Sequence, residues 1–222
     1  MVRRSRSSKT KQRLWSITLV VAVTILIVLF RLVEEIGPER APEDRWTVIR
    51  ILDGDTVELL GGDRLRLLAL DTPEKNEPLH DEAAALLSRL VLNKAARVEF
   101  AGRRRDRYGR LLGYLYLDTL LINKVMIDSG MGCLYLFDDT DVRSQEVVNM
   151  LAAQQSALER KVGLWGVPHT PESYYIASKS SFRFHRPGCR SISNMNVDNS
   201  RRFSTREEAL AEGLSPCRNC KP

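Results

Sequence analysis

Val48 to Glu74, VIRILDGDTVELLGGDRLRLLALDTPE, alternates short apolar runs with turn residues. Val48–Leu52 reads as a strand, Asp53-Gly54-Asp55 as a turn, and Thr56–Leu60 as the returning strand. Gly61-Gly62-Asp63 turns the chain again, and Arg64–Leu70 reads as a third strand with Arg64 and Arg66 on one face. Asp71-Thr72-Pro73-Glu74 breaks that strand. Further on, Ala83, Leu86, Leu87 and Leu90 have helical spacing, which predicts a helix over Asp81–Leu92 capped by Asp81. Ala96–Phe100 and Leu111–Leu117 read as strands, joined by the charged loop Gly102–Arg110. Ile122–Ser129 reads as a short helix ended by Gly130, and Val142–Lys161 as a long one ended by Gly163. Short strands with glycine-rich turns, followed by helices, predict a small barrel with helices packed around it.

Two groups of residues in this stretch carry chemistry. Asp53, Asp55, Asp71 and Glu74 all stand at strand ends or turns. A hard cation such as Ca²⁺ takes several oxygen ligands of this kind. The second group is basic and includes Arg66 and Arg110, whose guanidinium forks match phosphate oxygens. A cation, a carboxylate and two arginines are the parts that phosphodiester hydrolysis needs: charge stabilisation for the crowded transition state and a base for the attacking water. Taken singly, Asp-Gly-Asp is more often a plain turn, Asp-Thr-Pro-Glu a capped loop, and an arginine run a solvated surface.

Order and spacing lift these parts together. Asp53-Gly54-Asp55-Thr56-Val57, then Arg66 to Glu74 (RLLALDTPE), then Asp106-Arg107-Tyr108-Gly109-Arg110 resemble the thermonuclease family of staphylococcal nuclease-like domains, from about Trp46 to Gly166. The resemblance implies a five-stranded OB-type barrel with three helices and a Ca²⁺-dependent phosphodiesterase of relaxed sequence preference. It implies Asp55 and Asp71 as carboxylate ligands of Ca²⁺, with the Thr72 carbonyl beside them. Glu74 would orient or deprotonate the water, and Arg66 and Arg110 would bind the scissile phosphate. Tyr108, with Arg107 beside it, would meet a terminal phosphate, and Asp53 matches an acid that holds metal-bound water. An OB barrel can also bind nucleic acid without chemistry, but every catalytic position of the motif is kept here.

The 222 residues are 43% hydrophobic and 28% charged, which excludes wholesale disorder and low-complexity chains. The formal charge of +6 resides in a tail: residues 1–13 hold six of the 34 cations and no acid. Residues 45–177 carry 17 cations and 19 acids, so substrate attraction there must be local, from a bound cation and the Arg103–Arg110 cluster. Leu14–Phe30 is a 17-residue run without a charge, and 14–33 is long enough for a transmembrane helix. The six preceding cations would keep the N-terminus cytoplasmic and place 34–222 in the periplasm or outside the cell. A cleaved signal peptide and a secreted protein are the alternative. Residues 34–45 and 168–177 read as linkers, although Tyr174-Tyr175-Ile176 has strand character.

Residues 178–222 carry nine cations against four acids. His185-x₃-Cys189 and Cys217-x₂-Cys220 stand 27 residues apart, two short donor pairs of the kind that build a tetrahedral zinc site. A segment this small, with few large apolar side chains, needs such a staple. Ser204–Glu208 has the form of a capping box, with Gly213 ending the helix. Phe184–Cys189, Phe203–Gly213 and Pro216–Pro222 resemble the zinc-binding domain of Ada-type DNA-repair methyltransferases. In that family the position of His185 is a methyl-accepting cysteine. With histidine at that position the resemblance implies the zinc fold, leaves open whether the module binds DNA or protein, and does not imply the methyl transfer. Cys133, among Met131, Leu134 and Leu136, reads as a buried inert thiol.

The sequence therefore predicts six segments: tail 1–13, membrane helix 14–33, linker 34–45, barrel 46–167, linker 168–177 and zinc module 178–222 of small α+β form. The expected activity is a membrane-anchored, Ca²⁺-dependent nuclease acting on DNA, with RNA left open as a substrate and structural Zn²⁺ in the C-terminal module. The rival is a surface DNA-binding protein, such as a DNA-uptake receptor, that grips without cutting.

Overall fold

The computed structural model describes residues 23–27 and 45–222. The chain divides into two units, Met1–Pro42 and Glu43–Pro222. Of the first, only 23–27 is described, and it is helical and exposed. The expected membrane helix over 14–33 thus falls almost wholly outside the described residues. Among those, no helix is long and apolar enough to cross a membrane.

In the second unit β1 (Arg45–Asp53) begins against β5 (Ala95–Glu99) and ends against β2 (Thr56–Leu59), with two register shifts on the way. Such irregularities coil a strand and let it serve two partners. β3 (Arg64–Leu67) pairs with β2, β6 (Leu111–Leu117) pairs with β5, and a parallel β3–β6 pairing closes the ring. Five strands thus form a closed barrel, as the sequence predicts, with β7 (Leu120–Leu121) appended to β6. Val48, Val57, Leu59, Leu65, Leu67, Val98 and Leu115 fill it. Three helices cover the barrel: α1 (His80–Val91), α2 (Ile122–Asp128) and α3 (Gln145–Arg160).

The third strand is shorter than the predicted Arg64–Leu70. It stops at Leu67, and Ala69 takes the left-handed conformation at φ 57. The carbonyls released there find partners: Leu68 accepts from the buried Asn123 amide at 2.8 Å, and Ala69 from the Tyr135 N–H at 3.0 Å. Past this kink β4 (Leu70–Asp71) leaves the barrel and pairs with β8 (Cys133–Leu134). Helix caps also differ from the reading. Asp81 lies inside the first turn of α1 and Leu79 stands at the cap with φ 67. Ser144 caps α3, and Lys161 at φ 52 ends it ahead of Gly163.

Strand β9 (Tyr175–Ser178) takes in Tyr175–Ala177 from the stretch read as a linker. It lies between β11 (Ser200–Phe203) and β10 (Arg183–His185), and β12 (Ser215–Pro216) completes a four-stranded sheet. The helix α4 (Arg206–Ala211) opens on the predicted capping box, Thr205 with Glu208. A second core of Tyr175, Ala177, Phe184, Phe203, Ala209, Leu210 and Leu214 packs against Leu158 and Trp165 of the nuclease-like part. Buried hydrogen bonds join the two. Gln154 of α3 accepts from Leu134 N–H at 2.7 Å and donates to Leu210 O at 2.6 Å. Ser215 donates to Leu134 O at 2.7 Å. Each such bond costs about 1–3 kcal/mol if one partner is removed, so the module is fixed to the barrel, not tethered to it.

Candidate active site and metal centre

Asp55 sits in the two-residue turn between β1 and β2, and Asp71 at the end of β4. Gly54 is required beside Asp55 by contact: a Cβ there would lie 2.7 Å from Thr72 Oγ1 and 2.8 Å from Ala83 Cβ. Arg66 joins the two acids. Its Nη1 pairs with Asp55 Oδ2 and its Nη2 with Asp71 Oδ1 at 3.1 Å. The side chains are only 10%, 8% and 17% exposed for Arg66, Asp55 and Asp71. Thr72 belongs to the same knot, since its N–H and its hydroxyl both donate to Asp55 Oδ2 at 3.3 Å. Thr56 donates to the other Asp55 oxygen at 2.8 Å. Burial raises the Asp71 carboxyl above its ordinary value against the pull of Arg66 and Arg218.

Asp55, Asp71 and the Thr72 carbonyl are hard oxygen donors on neighbouring strand ends, a set that suits Ca²⁺ completed by water. Glu74 stands apart from the knot. It is exposed, its N–H donates to Glu77 Oε2 at 2.7 Å, and its carboxylate meets Arg218 at 3.9 Å. Asp53 also stays outside. Burial and the Asp55 charge raise its carboxyl, although Gly54 N–H and His80 pull the other way.

Arg66 and Arg110 line one cavity of about 570 Å³, together with Arg107, Tyr108, Tyr135 and Arg218. Arg110 is held by Asp106, which accepts from its Nε at 2.8 Å and its N–H at 3.0 Å. Those bonds, with Tyr108 N–H, hold the Asp106 carboxyl below its ordinary value despite partial burial. Tyr108 is 68% exposed and accepts from Arg107 Nη2 at 2.7 Å. Two other cations of the charged loop are paired, Arg103 with Asp139 at the same cavity and Arg105 with Asp63.

Three contributors escape the sequence reading. His80 of α1 donates from Nδ1 to Pro73 O at 2.9 Å and lies 3.5 Å from Asp53. The Pro73 bond and the Asp53 charge raise its pKa. Tyr135 follows β8 with Arg183 at 3.5 Å and Arg218 at 5.0 Å from its ring centre. Arg218 itself reaches Asp71. His80 stands next to Asp81 in a helical pattern, and Tyr135 in an apolar run, so neither carries a signal of its own.

The second centre gathers as predicted. Ligand atoms of His185, Cys189, Cys217 and Cys220 all lie within 4.8 Å of one another, and among the described residues this is the one His/Cys/Asp/Glu group of three or more suited to a metal. Donors sharing a zinc at about 2.0–2.3 Å stand roughly 3–4 Å apart, so the set fits. Nδ1 of His185 is buried without a hydrogen-bond partner, a cost that a ligand would remove. Burial and Arg183 lower the His185 pKa, which keeps the imidazole neutral as a metal ligand must be. Cys220 accepts from Arg186 N–H at 3.4 Å. Cys133 is buried elsewhere, and burial pushes its thiol far above the ordinary range.

Residues 64–167 match the model of the family described as Staphylococcal nuclease homologue. Protein ParB of Escherichia coli is 31% identical over 153 residues, covering 64% of this chain and 83% of that protein. An uncharacterized endonuclease of Escherichia coli O157:H7 is 35% identical over 122 residues, covering 53% and 74%. The thermonuclease of Staphylococcus hyicus is 28% identical over 163 residues, covering 66% and 94%. With the closed five-stranded barrel and these relatives together, the chain belongs to the staphylococcal nuclease homologue family.

Proposed function

We propose that the protein is a Ca²⁺-dependent nuclease that hydrolyses phosphodiester bonds of DNA and of RNA with little sequence preference. The observation that carries this reading is the buried Arg66, which pairs with Asp55 and Asp71 and itself lines a cavity with Arg110 and Tyr108. Bound at Asp55, Asp71 and Thr72, Ca²⁺ would supply positive charge to the phosphate in the transition state. Glu74 takes a proton from water, the water oxygen attacks phosphorus, the bond to the leaving oxygen breaks, and that oxygen takes a proton from solvent. Arg66 and Arg110 hold the phosphate oxygens as negative charge grows on them. Tyr108 and Arg107 meet the flanking phosphate.

The four donors at His185, Cys189, Cys217 and Cys220 support a structural Zn²⁺ that keeps the C-terminal module folded. The uncharged run Leu14–Phe30 after six cations supports a membrane anchor with the nuclease part on the non-cytoplasmic side. Protease added to spheroplasts then clips the nuclease part, and full protection with an intact inner membrane reverses that topology. For the activity, the full-length protein is incubated with plasmid, linear DNA and RNA, with Ca²⁺ or with chelator. Cleavage that stops on chelation is expected. Binding of DNA without cleavage in Ca²⁺ puts the receptor reading in its place.

A further inference from the structure

We infer that Arg218, carried between the zinc-module cysteines Cys217 and Cys220, is a third arginine of the nuclease site and binds a substrate phosphate. The inference rests on the nuclease reading of that site. Arg218 lies 147 positions from Asp71 along the chain, yet its Nη2 donates to Asp71 Oδ1 at 2.5 Å. The same nitrogen is 3.9 Å from Glu74 Oε1. One guanidinium therefore touches both a carboxylate of the Arg66 knot and the carboxylate assigned to the water.

Its donors decide what else it can do. Arg66 turns both Nη atoms to Asp55 and Asp71, and Arg110 gives its Nε to Asp106 and keeps its Nη groups for phosphate. Arg218 uses Nη2 alone, and among the described residues its Nη1 and Nε donate to no protein acceptor. It is 53% exposed and lines the same cavity as Arg66 and Arg110. A guanidinium with unused N–H groups, in a cavity with two other arginines, fits an anion with several oxygens, and a phosphodiester is the anion this site handles.

Three neighbouring contacts set its position. The Tyr135 ring lies 5.0 Å from it, Lys221 pairs with Glu77 on the barrel side, and Ser215 anchors the preceding strand to Leu134. Leu134 neighbours Cys133, which pairs with Asp71 across β4 and β8. The module thus presents Arg218 from a frame built on the strand that faces Asp71.

The test compares the full-length parent with Arg218→Ala, Arg218→Lys and Lys221→Ala. Two readouts are taken: kcat/KM on DNA with Ca²⁺, and the salt dependence of binding to a short fluorescent single-stranded oligonucleotide in chelator. Zinc content and melting temperature are recorded for each protein. Loss of one phosphate contact lowers the slope of log K against log salt by about 0.7. Loss of a charge-assisted fork lowers kcat/KM by about tenfold or more. Both changes are expected in Arg218→Ala at unchanged zinc content, with Arg218→Lys restoring the slope and only part of kcat/KM. Lys221→Ala, which touches Glu77 and not the cavity, is expected to keep the parent slope. A parent slope in Arg218→Ala overturns the inference, and so does a cleavage rate above the parent, which would make Arg218 a brake. An equal loss in Lys221→Ala also overturns it, since docking and not contact would be the cause. If the parent binds but never cuts, the nuclease reading fails while the slope still decides Arg218.

Discussion

Arg66 pairs with two carboxylates where water barely reaches them. Its removal leaves Asp55 without a cation and Asp71 with Arg218 alone, and breaking a buried pair from one side costs about 3–5 kcal/mol. Arg66→Ala is therefore expected to lower the melting temperature as well as the rate. Arg66→Lys keeps the charge and loses the fork, so it should melt closer to the parent while kcat still falls by about 10²-fold or more, as for one preorganised donor. Calorimetry beside single-turnover cleavage separates the two; a full rate in Arg66→Lys sinks the phosphate role. Asp55, Asp71, Thr72 and Arg66 are legible in sequence because strand ends and turns bring them within one short stretch. Arg218 is not, because between two zinc-type cysteines its local surroundings read as a metal knuckle. Only the pairing of β4 with β8, and the module fixed to Leu134, bring it to Asp71.

At the scale of elements, the barrel strands and three helices follow the apolar periodicity closely. The exception is the break in β3, where Leu68-Ala69-Leu70 reads as uninterrupted strand. Nothing local forbids a strand there. The buried Asn123 takes the Leu68 carbonyl and so makes the kink affordable, a tertiary effect that propensity does not contain. The C-terminal module shows the converse case, since its four metal-type donors are plain in the spacing. Its core of seven buried residues is too small to fold it alone. Cys217→Ser is expected to lose zinc by elemental analysis and to unfold the module, seen as increased amide exchange in β9–β12, while the barrel strands stay protected. Full zinc content in that variant contradicts the ligand set.

For the whole molecule, the barrel and the zinc module share helix α3 and form one unit, with Lys221 and Glu77 pairing across their boundary. Partial burial would raise the Glu77 carboxyl, but bonds from Lys221 and Glu74 N–H hold it below its ordinary 4.5. A carboxylate lowered on folding adds stability above its unfolded pKa and loses it as pH falls through the folded value. Glu77→Gln should thus melt below the parent at neutral pH by about 1 kcal/mol or less. The gap should close as pH drops below 4.5, and a gap that persists there speaks against the pair. The most direct test of the nuclease as a whole is kcat of Glu74→Gln on DNA at saturating Ca²⁺. Glu74 is exposed, so the variant keeps its fold, its melting temperature and its hold on DNA. Without the carboxylate proposed to take the proton from water, kcat should fall by at least about 10²-fold. A Glu74→Gln protein that cleaves DNA at the parental rate contradicts the mechanism.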